Sequence, residues 1–327
     1  MTAPQTPPDI QAAVAAVRRG EVIGLPTETV YGLAADASNI EAVRRIFALK
    51  GRPADHPLIV HIADASHLPT WTSGASPLAA RLAEAFWPGP LTLILPRSAR
   101  VPDVVTGGQH TVGLRCPDHP VALAVLREFG GGLAAPSANR FGRISPTSAA
   151  HVREEFPMGV AIVLDGGDSA IGIESTILDL SSGQPRILRP GQISAAQIEA
   201  VIGPVAQDRS EHSPRASGTL EAHYAPRTPL LMLPRAALES EAREQGALGK
   251  RVAILGVGTL PSGSNGLALP EDAASYAHGL YAALRKLDAS GQQLLLVERP
   301  PEDDAWLAVH DRLRRAAAGT AGDDDSP

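Results

Sequence analysis

The chain has 327 residues, 44% of them hydrophobic, and a formal net charge of −6; that length suits two domains, and each half can bury a core. The negative balance argues against wholesale coating by nucleic acid or an anionic membrane surface, while leaving room for a local basic groove. A single cysteine, Cys116, excludes an intramolecular disulfide and any C-x-x-C metal site and fits a reducing cytoplasm.

The first ten residues are rich in Pro and Thr, read as loose, and lack the basic and apolar regions of a signal peptide. IQAAVAAVRRG has helical spacing with a stop at Gly20, and VIGLP follows as a short buried strand. Ser38 and Glu41 have the spacing of a capping box. They open a helix expected to turn Ile40, Val43, Ile46 and Phe47 inward and to end at Gly51. PLIVHI reads as a strand. Ser76-Pro77 joins an N-cap to proline at the first helical position, and that helix runs to Trp87. LTLILP, TVGLR, LAAPS, VAIVLD and STILDL read as further strands, HPVALAVLREF and SAAQIEAVI as helices. These elements mix without strict alternation, so a mixed α/β sheet is expected over residues 8–204.

Residues 205–229 are polar, carry Pro, Ser and Gly, show little periodicity and read as a linker. From 230 to 319 come LLML, a helix near 235–246, RVAILGV, a helix near 272–288, QLLLVE and a helix near 303–317. That β-α-β-α-β-α order suits a small parallel three-layer domain. GDDDSP reads as a disordered acidic tail. No apolar run reaches the ~18 residues that span a bilayer, so no membrane contact is expected.

Lysine is scarce, with only Lys50, Lys250 and Lys286, yet KGRPADHPLIVHI places Lys50, Arg52, His56 and His61 together. Each has an ordinary reading. Lys50 and Arg52 at a helix C-terminus complement its dipole. His61 suits a hydrogen-bonded strand histidine, and His56 and His61 lack the companions of a zinc site. Ser137 and Ser145 fit turn chemistry, and no G-x-S-x-G elbow makes Ser137 a nucleophile. Cys116 sits beside Arg115 but before proline, as at a strand end. GVGTLP near 256 has two glycines of a dinucleotide fingerprint and Pro261 in place of the third, which discounts it. The combination carries more than its parts. Lys50, Arg52, Arg115, Arg143 and Arg189 all fall at loop–strand junctions near Ser, Thr and Gly, a set able to bind polyphosphate without a Walker motif.

In order along the chain, PTETVYGL, KGRP…PLIVHI, WPGPLTLIL, VGLRCPDHP, APSAN…SPT and ESTILDL…ILRPG resemble the threonylcarbamoyl-AMP synthase family over residues 10–203. HYAPRTP and the trailing α/β pattern resemble its two-domain branch. The resemblance implies a YrdC-like mixed twisted sheet with flanking helices, then a small Rossmann-like three-layer α/β domain. It implies a nucleotidyltransferase that forms L-threonylcarbamoyladenylate and pyrophosphate from L-threonine, bicarbonate and ATP. The product feeds N6-threonylcarbamoylation of adenosine 37 in tRNA, through downstream tRNA threonylcarbamoyl-transferase proteins.

By matching positions, the resemblance implies that Thr29, His61, Arg115, Ala135 and Ser175 surround L-threonine. It puts Arg52, His56, Thr111, Ser137, Ser145, Arg189 and Tyr224 around ATP, with Lys50 and Arg52 as catalytic cations and Tyr224 as a lid from the linker. Mg²⁺ is expected with the nucleotide, without a dedicated protein ligand. Two positions depart from the family pattern: His56 stands where asparagine is usual, and Phe141 where serine is common. An RNA-binding YrdC-like module without adenylate-forming activity is the alternative, with weak RNA contact through the same arginines. The negative charge and 4% aromatic content weigh against it. A carbamoyl-transfer relative of the hydrogenase-maturation type is disfavoured by the single cysteine.

Overall fold

A computed structural model describes residues 9–74, 76–207 and 213–320. The expectations for residues 1–8, for the middle of the linker and for the acidic tail lie outside the described residues. One mixed sheet contains β1 (Ile23–Leu25), β2 (Gly32–Asp36), β3 (Ile59–His61), β4 (Leu91–Pro96), β5 (Thr111–Arg115), β6 (Leu133–Ala134), β7 (Ile162–Val163), β8 (Thr176–Asp179) and β9 (Arg186–Arg189). Its order is β7-β1-β2-β6-β3-β5-β4-β8-β9. β3 and β5 run parallel with His61 opposite Arg115, while β6 pairs antiparallel with both β2 and β3. This register brings the ends of PLIVHI, TVGLR and LAAPS to one place.

The period of two along these strands supplies both cores. Leu33 and Ala35 of β2 face one side with Val60, Leu93 and Leu114, against the helix Ile40–Lys50. Ala34 faces the other, with Ile23, Leu25 and Leu133, against the helices Ile10–Arg18 and Pro120–Phe129. Ser76 caps its helix as expected, accepting from the Ala79 amide, and Gly51 ends the helix Ile40–Lys50 in the left-handed region at φ 62°.

The expected Ser38–Glu41 capping box is not formed. Asp36 captures both the hydroxyl and the amide of Ser38, at 2.6 and 2.9 Å. Asn39 becomes the N-cap, its Oδ1 accepting from the amides of Glu41 and Ala42 at 3.1 Å. The one-residue shift also leaves Ile40 outward, 45% exposed, while Val43, Ile46 and Phe47 are buried.

The second sheet comprises β10 (Leu230–Leu233), β11 (Val252–Val257), β12 (Gly266–Leu269) and β13 (Leu294–Glu298), all parallel, in the order β10-β13-β11-β12. Strand β12 was not expected; its short GLAL run, with only partly buried side chains, has none of the signal of a buried strand. Alternation again builds three layers. Ile254, Leu294 and Leu296 meet Leu238 of the helix Arg235–Ala247. Ala253, Leu255, Leu295 and Val297 meet the helices Ala273–Asp288 and Leu307–Thr320. β11 leads to β12 and not directly into a helix, so the discounted glycine pair opens no dinucleotide-binding helix. The second core also takes in Val30, Ile144, Ile173 and Tyr224, so the two sheets share packing beside the cleft described next.

Candidate active site

A cleft of about 540 Å³, open to solvent, lies where β2, β3, β5, β8 and β9 end. Thr29, Arg52, His61, Arg115, Ala135, Ser137, Ser175, Arg189 and Tyr224 all line it. Lys50, His56, Thr111 and Ser145 do not. Larger clefts lie elsewhere: one of about 1400 Å³ is lined mainly by Ala, Ile and Leu, and in one of about 850 Å³ the arginines face Glu154, Glu155 and Asp288. Chemistry, more than volume, marks the smaller one.

Its first half is built on Arg115. Nη1 donates to Thr29 Oγ1 at 2.8 Å, Nε donates to the Gly89 carbonyl at 3.3 Å, and Nη2 lies 2.6 Å from Glu28 Oε1. Both ion-pair side chains are buried, 5% and 7% exposed, so neither is screened by water. Thr27 holds the Thr29 turn, donating to the Val30 carbonyl at 2.6 Å. His61, opposite Arg115, is pushed down to about 3 by burial and then by the Arg115 charge. It is therefore a neutral imidazole at physiological pH, and its buried Nδ1 has no protein partner. Ala135 adds a small apolar wall. The result is an anion-pairing guanidinium beside a hydroxyl, a neutral imidazole and a methyl group.

The second half is built on Arg189 and Arg52. Arg189 donates through Nε and Nη2 to the Ser175 carbonyl at 3.1 and 2.9 Å, and through Nη1 to the Ser217 carbonyl at 2.9 Å. Arg52 donates to the Pro57 carbonyl at 3.0 Å, while its buried Nε has no partner. Burial chiefly lowers Arg52 to about 10, which leaves it charged at neutral pH. Ser175 Oγ and Thr92 Oγ1 lie 2.8 Å apart, which fixes the Ser175 hydroxyl between the halves.

The linker supplies a wall. Ser217, Gly218, His223 and Tyr224 line the cleft. Tyr224 has φ 61°, a left-handed conformation unusual for a bulky residue. Its hydroxyl reaches the Gly218 carbonyl at 3.4 Å. Any Cβ on Gly218 would lie 2.0 Å from that hydroxyl and 2.8 Å from Arg189 Nη1, so only glycine allows this approach.

Four expected site residues, Lys50, His56, Thr111 and Ser145, stand outside the cleft lining. Lys50 is not a free cation facing the cleft: its Nζ donates to the carbonyls of Ser137 and Asn139, both at 2.5 Å, and the side chain is buried. Burial, then the charge of Arg52, holds it well below the usual lysine range. Lys50 braces the APSAN loop from behind. Ser145 is fully buried and donates to Glu174 Oε1 at 2.6 Å. Thr111 begins β5 and Arg115 ends it, so the two stand at opposite ends of that strand. Arg143 donates to the Pro226 carbonyl and holds the linker. His56 meets the Phe141 ring edge-on at 5.2 Å, and Phe141 meets His223 at 6.0 Å. His56 and Phe141 are thus in contact with each other.

Glu28, Glu174, Ser217 and His223 were not singled out from sequence. Glu28 and Glu174 lie inside the quoted motifs, but nothing local distinguishes a cleft carboxylate from a surface one. Burial puts the Cys116 thiol up at about 11, and it donates to the Ala63 carbonyl, so it is no nucleophile. Among the described residues no group of three or more His, Cys, Asp or Glu side chains is placed to hold a metal ion. The arrangement can neutralise and orient a polyanion next to a small carboxylate-bearing ligand.

His61 and His223, both held near 3 by burial, give a stability signature. The unfolded chain takes up protons near pH 6.5 that the folded chain refuses until about 3. Stability is therefore undiminished by these groups above 6.5 and falls as pH drops from there toward 3. His223→Gln is expected to remove about 2–3 kcal/mol of the stability lost between pH 6.5 and 4.5. Urea unfolding at the two pH values measures it; an unchanged difference would mean that His223 is not buried neutral.

The chain is similar to known proteins over nearly its whole length. A family model described as "Telomere recombination" matches residues 15–191, and one described as "Threonylcarbamoyl-AMP synthase, C-terminal domain" matches 193–318. A threonylcarbamoyl-AMP synthase of Pyrococcus abyssi is 41% identical, with 94% of each chain covered. One of Bacillus subtilis is 42% identical, covering 95% of this chain and 94% of that one. Among solved structures, P. abyssi Sua5 complexed with L-threonine superposes with a TM-score of 0.89 at 39% identity, over 95% of this chain and 94% of that one.

Proposed function

We propose that this chain, which belongs to the threonylcarbamoyl-AMP synthase family, forms L-threonylcarbamoyladenylate and pyrophosphate from L-threonine, bicarbonate and ATP. The observation that carries the reading is the convergence of Arg115, Arg189 and Arg52 on one cleft with Thr29, Ser175 and a neutral His61. It is supported by full-length relatives that bear this activity in their names.

The residue types suit the chemistry. Threonine amine and bicarbonate give a carbamate with loss of water, and a carbamate oxygen then attacks the α-phosphorus of ATP as the bond to pyrophosphate breaks. The nucleophile is already an anion, so the protein needs no serine, cysteine or activated lysine. It needs to hold the partners in line, balance phosphate charge and keep water away. In this reading Arg115 pairs the threonine carboxylate, Thr29 and Ser175 orient its amine and hydroxyl, and His61 stays neutral beside the amine. Arg189 and Arg52 face the phosphates, while Lys50 keeps the APSAN loop in place. Mg²⁺ enters with ATP as part of the substrate and neutralises phosphate charge. Tyr224 and His223 close the side toward solvent. The product would pass to proteins that modify adenosine 37 of tRNA.

The test is pyrophosphate release by the full chain with MgATP. Release should require both L-threonine and bicarbonate, and labelled threonine should appear in a species of the adenylate's mass. Release indifferent to threonine would overturn the reading, and tight, salt-sensitive RNA binding without turnover would favour a binding module.

A further inference from the structure

Glu174 is a carboxylate in the wall of a cleft read as binding a triphosphate, next in sequence to Ser175. Left alone there it would repel the nucleotide or take Arg189 as its partner. It does neither, because three donors hold it from outside the cleft. Ser145 Oγ donates to Oε1 at 2.6 Å; the Tyr281 hydroxyl and Arg312 Nε donate to Oε2 at 2.9 and 2.8 Å. Tyr281 and Arg312 come from the helices Ala273–Asp288 and Leu307–Thr320, in the second domain. Burial would raise the Glu174 carboxyl, but the charges of Arg312 and then Arg189 outweigh it and hold the group below its usual range.

Arg312 reaches further. Its side chain is completely buried. Nη2 donates to the carbonyls of Glu174 and Pro190 at 3.3 and 3.1 Å, Nη1 pairs Asp311 at 2.7 Å, and the guanidinium lies 5.3 Å from the Tyr224 ring centroid. One side chain thus touches the Ser175 loop, the end of β9 beyond Arg189, and the tyrosine wall. Arg189, by contrast, donates to carbonyls and a hydroxyl, and among the described residues no carboxylate forms an ion pair with it.

We propose that Arg312 is a positioning residue for the nucleotide: by taking the Glu174 carboxylate it leaves the positive charge of Arg189 unpaired for phosphate. The second domain thereby sets the charge of a cleft that its own residues do not enter. The idea rests on the ATP-using reading of the cleft. Without Arg312, the foremost remaining charge acting on Glu174 is Arg189, and an Arg189–Glu174 pair presents no net charge to a polyanion.

The test measures binding of Mg²⁺-α,β-methylene-ATP and, separately, of L-threonine by calorimetry to the full chain. Arg312→Met should weaken the nucleotide at least about 30-fold and threonine less than about 3-fold, on the scale of one charge-assisted contact. Adding Glu174→Gln to Arg312→Met should return nucleotide affinity to within about 5-fold of the parent, since the competing charge is gone. A merely structural role predicts no recovery, because the double variant has lost more contacts. Should Arg312→Met fail to fold, Arg312→Lys with and without Glu174→Gln reads the same recovery. Unchanged nucleotide affinity in the single variant, or no recovery in the double, overturns the proposal. A parent chain that binds threonine but no nucleotide overturns the functional reading instead.

Discussion

Arg115→Ala is expected to reduce threonine-dependent pyrophosphate release by roughly 10³-fold or more, the largest effect of any single change in the cleft. Two losses add. The bound amino acid loses a charge-assisted partner for its carboxylate. Glu28 loses the guanidinium 2.6 Å away and is left as a buried, uncompensated carboxylate. Removing one member of a buried pair costs about 3–5 kcal/mol, so the melting temperature should fall as well. The two losses separate in the double variant Arg115→Met with Glu28→Gln. That protein should regain most of the lost stability, because neither position then carries a charge, yet remain unable to use threonine. Calorimetric threonine binding together with thermal unfolding reads both. A double variant that recovers turnover would show that Arg115 only offsets Glu28 and does not bind substrate.

Arg52→Ala is expected to raise the ATP requirement about 10²-fold while changing threonine affinity little. Arg52 is half committed. It donates to the Pro57 carbonyl at 3.0 Å, but Nε is buried without a partner, an expensive arrangement unless a ligand supplies the acceptor. Arg52 bonds Pro57 and Ser217, whereas Arg115 bonds Thr29 and Gly89 and pairs Glu28, so the two share no partner and their effects separate. Steady-state kinetics with ATP and threonine varied in turn gives the two KM values. Equal rises in both would place Arg52 in the shared framework and remove it from the phosphate subsite.

The strands and most helices were legible because apolar period and capping residues are local. The Ser38 box failed for a local reason too: Asp36 competes for the same hydroxyl two residues away, and Asn39 is an equally good cap one residue on. β12 failed because four weakly apolar residues, GLAL, pair only through β11 and bury little. The cleft was legible to the extent that its members sit in contiguous motifs. Lys50 shows the limit. Its sequence neighbours suggest a phosphate cation, while its partners Ser137 and Asn139 lie 87 and 89 residues away and claim it for the backbone. Glu174 and Arg312, 138 residues apart, have no signal at all in one sequence, because only the fold makes an ion pair of them.

The order in which the cleft's parts occur along the chain has a consequence for the growing polypeptide. Every strand of the nine-stranded sheet precedes residue 190, so that sheet can assemble during synthesis before the second domain exists. The Gly218–Tyr224 wall and Arg312 emerge last. Until they dock, the nascent sheet holds Glu174 without its two outer donors and the arginines without their cover. On the ATP-using reading proposed above, the full set of contacts around the nucleotide is assembled only when nearly all the described chain has been made.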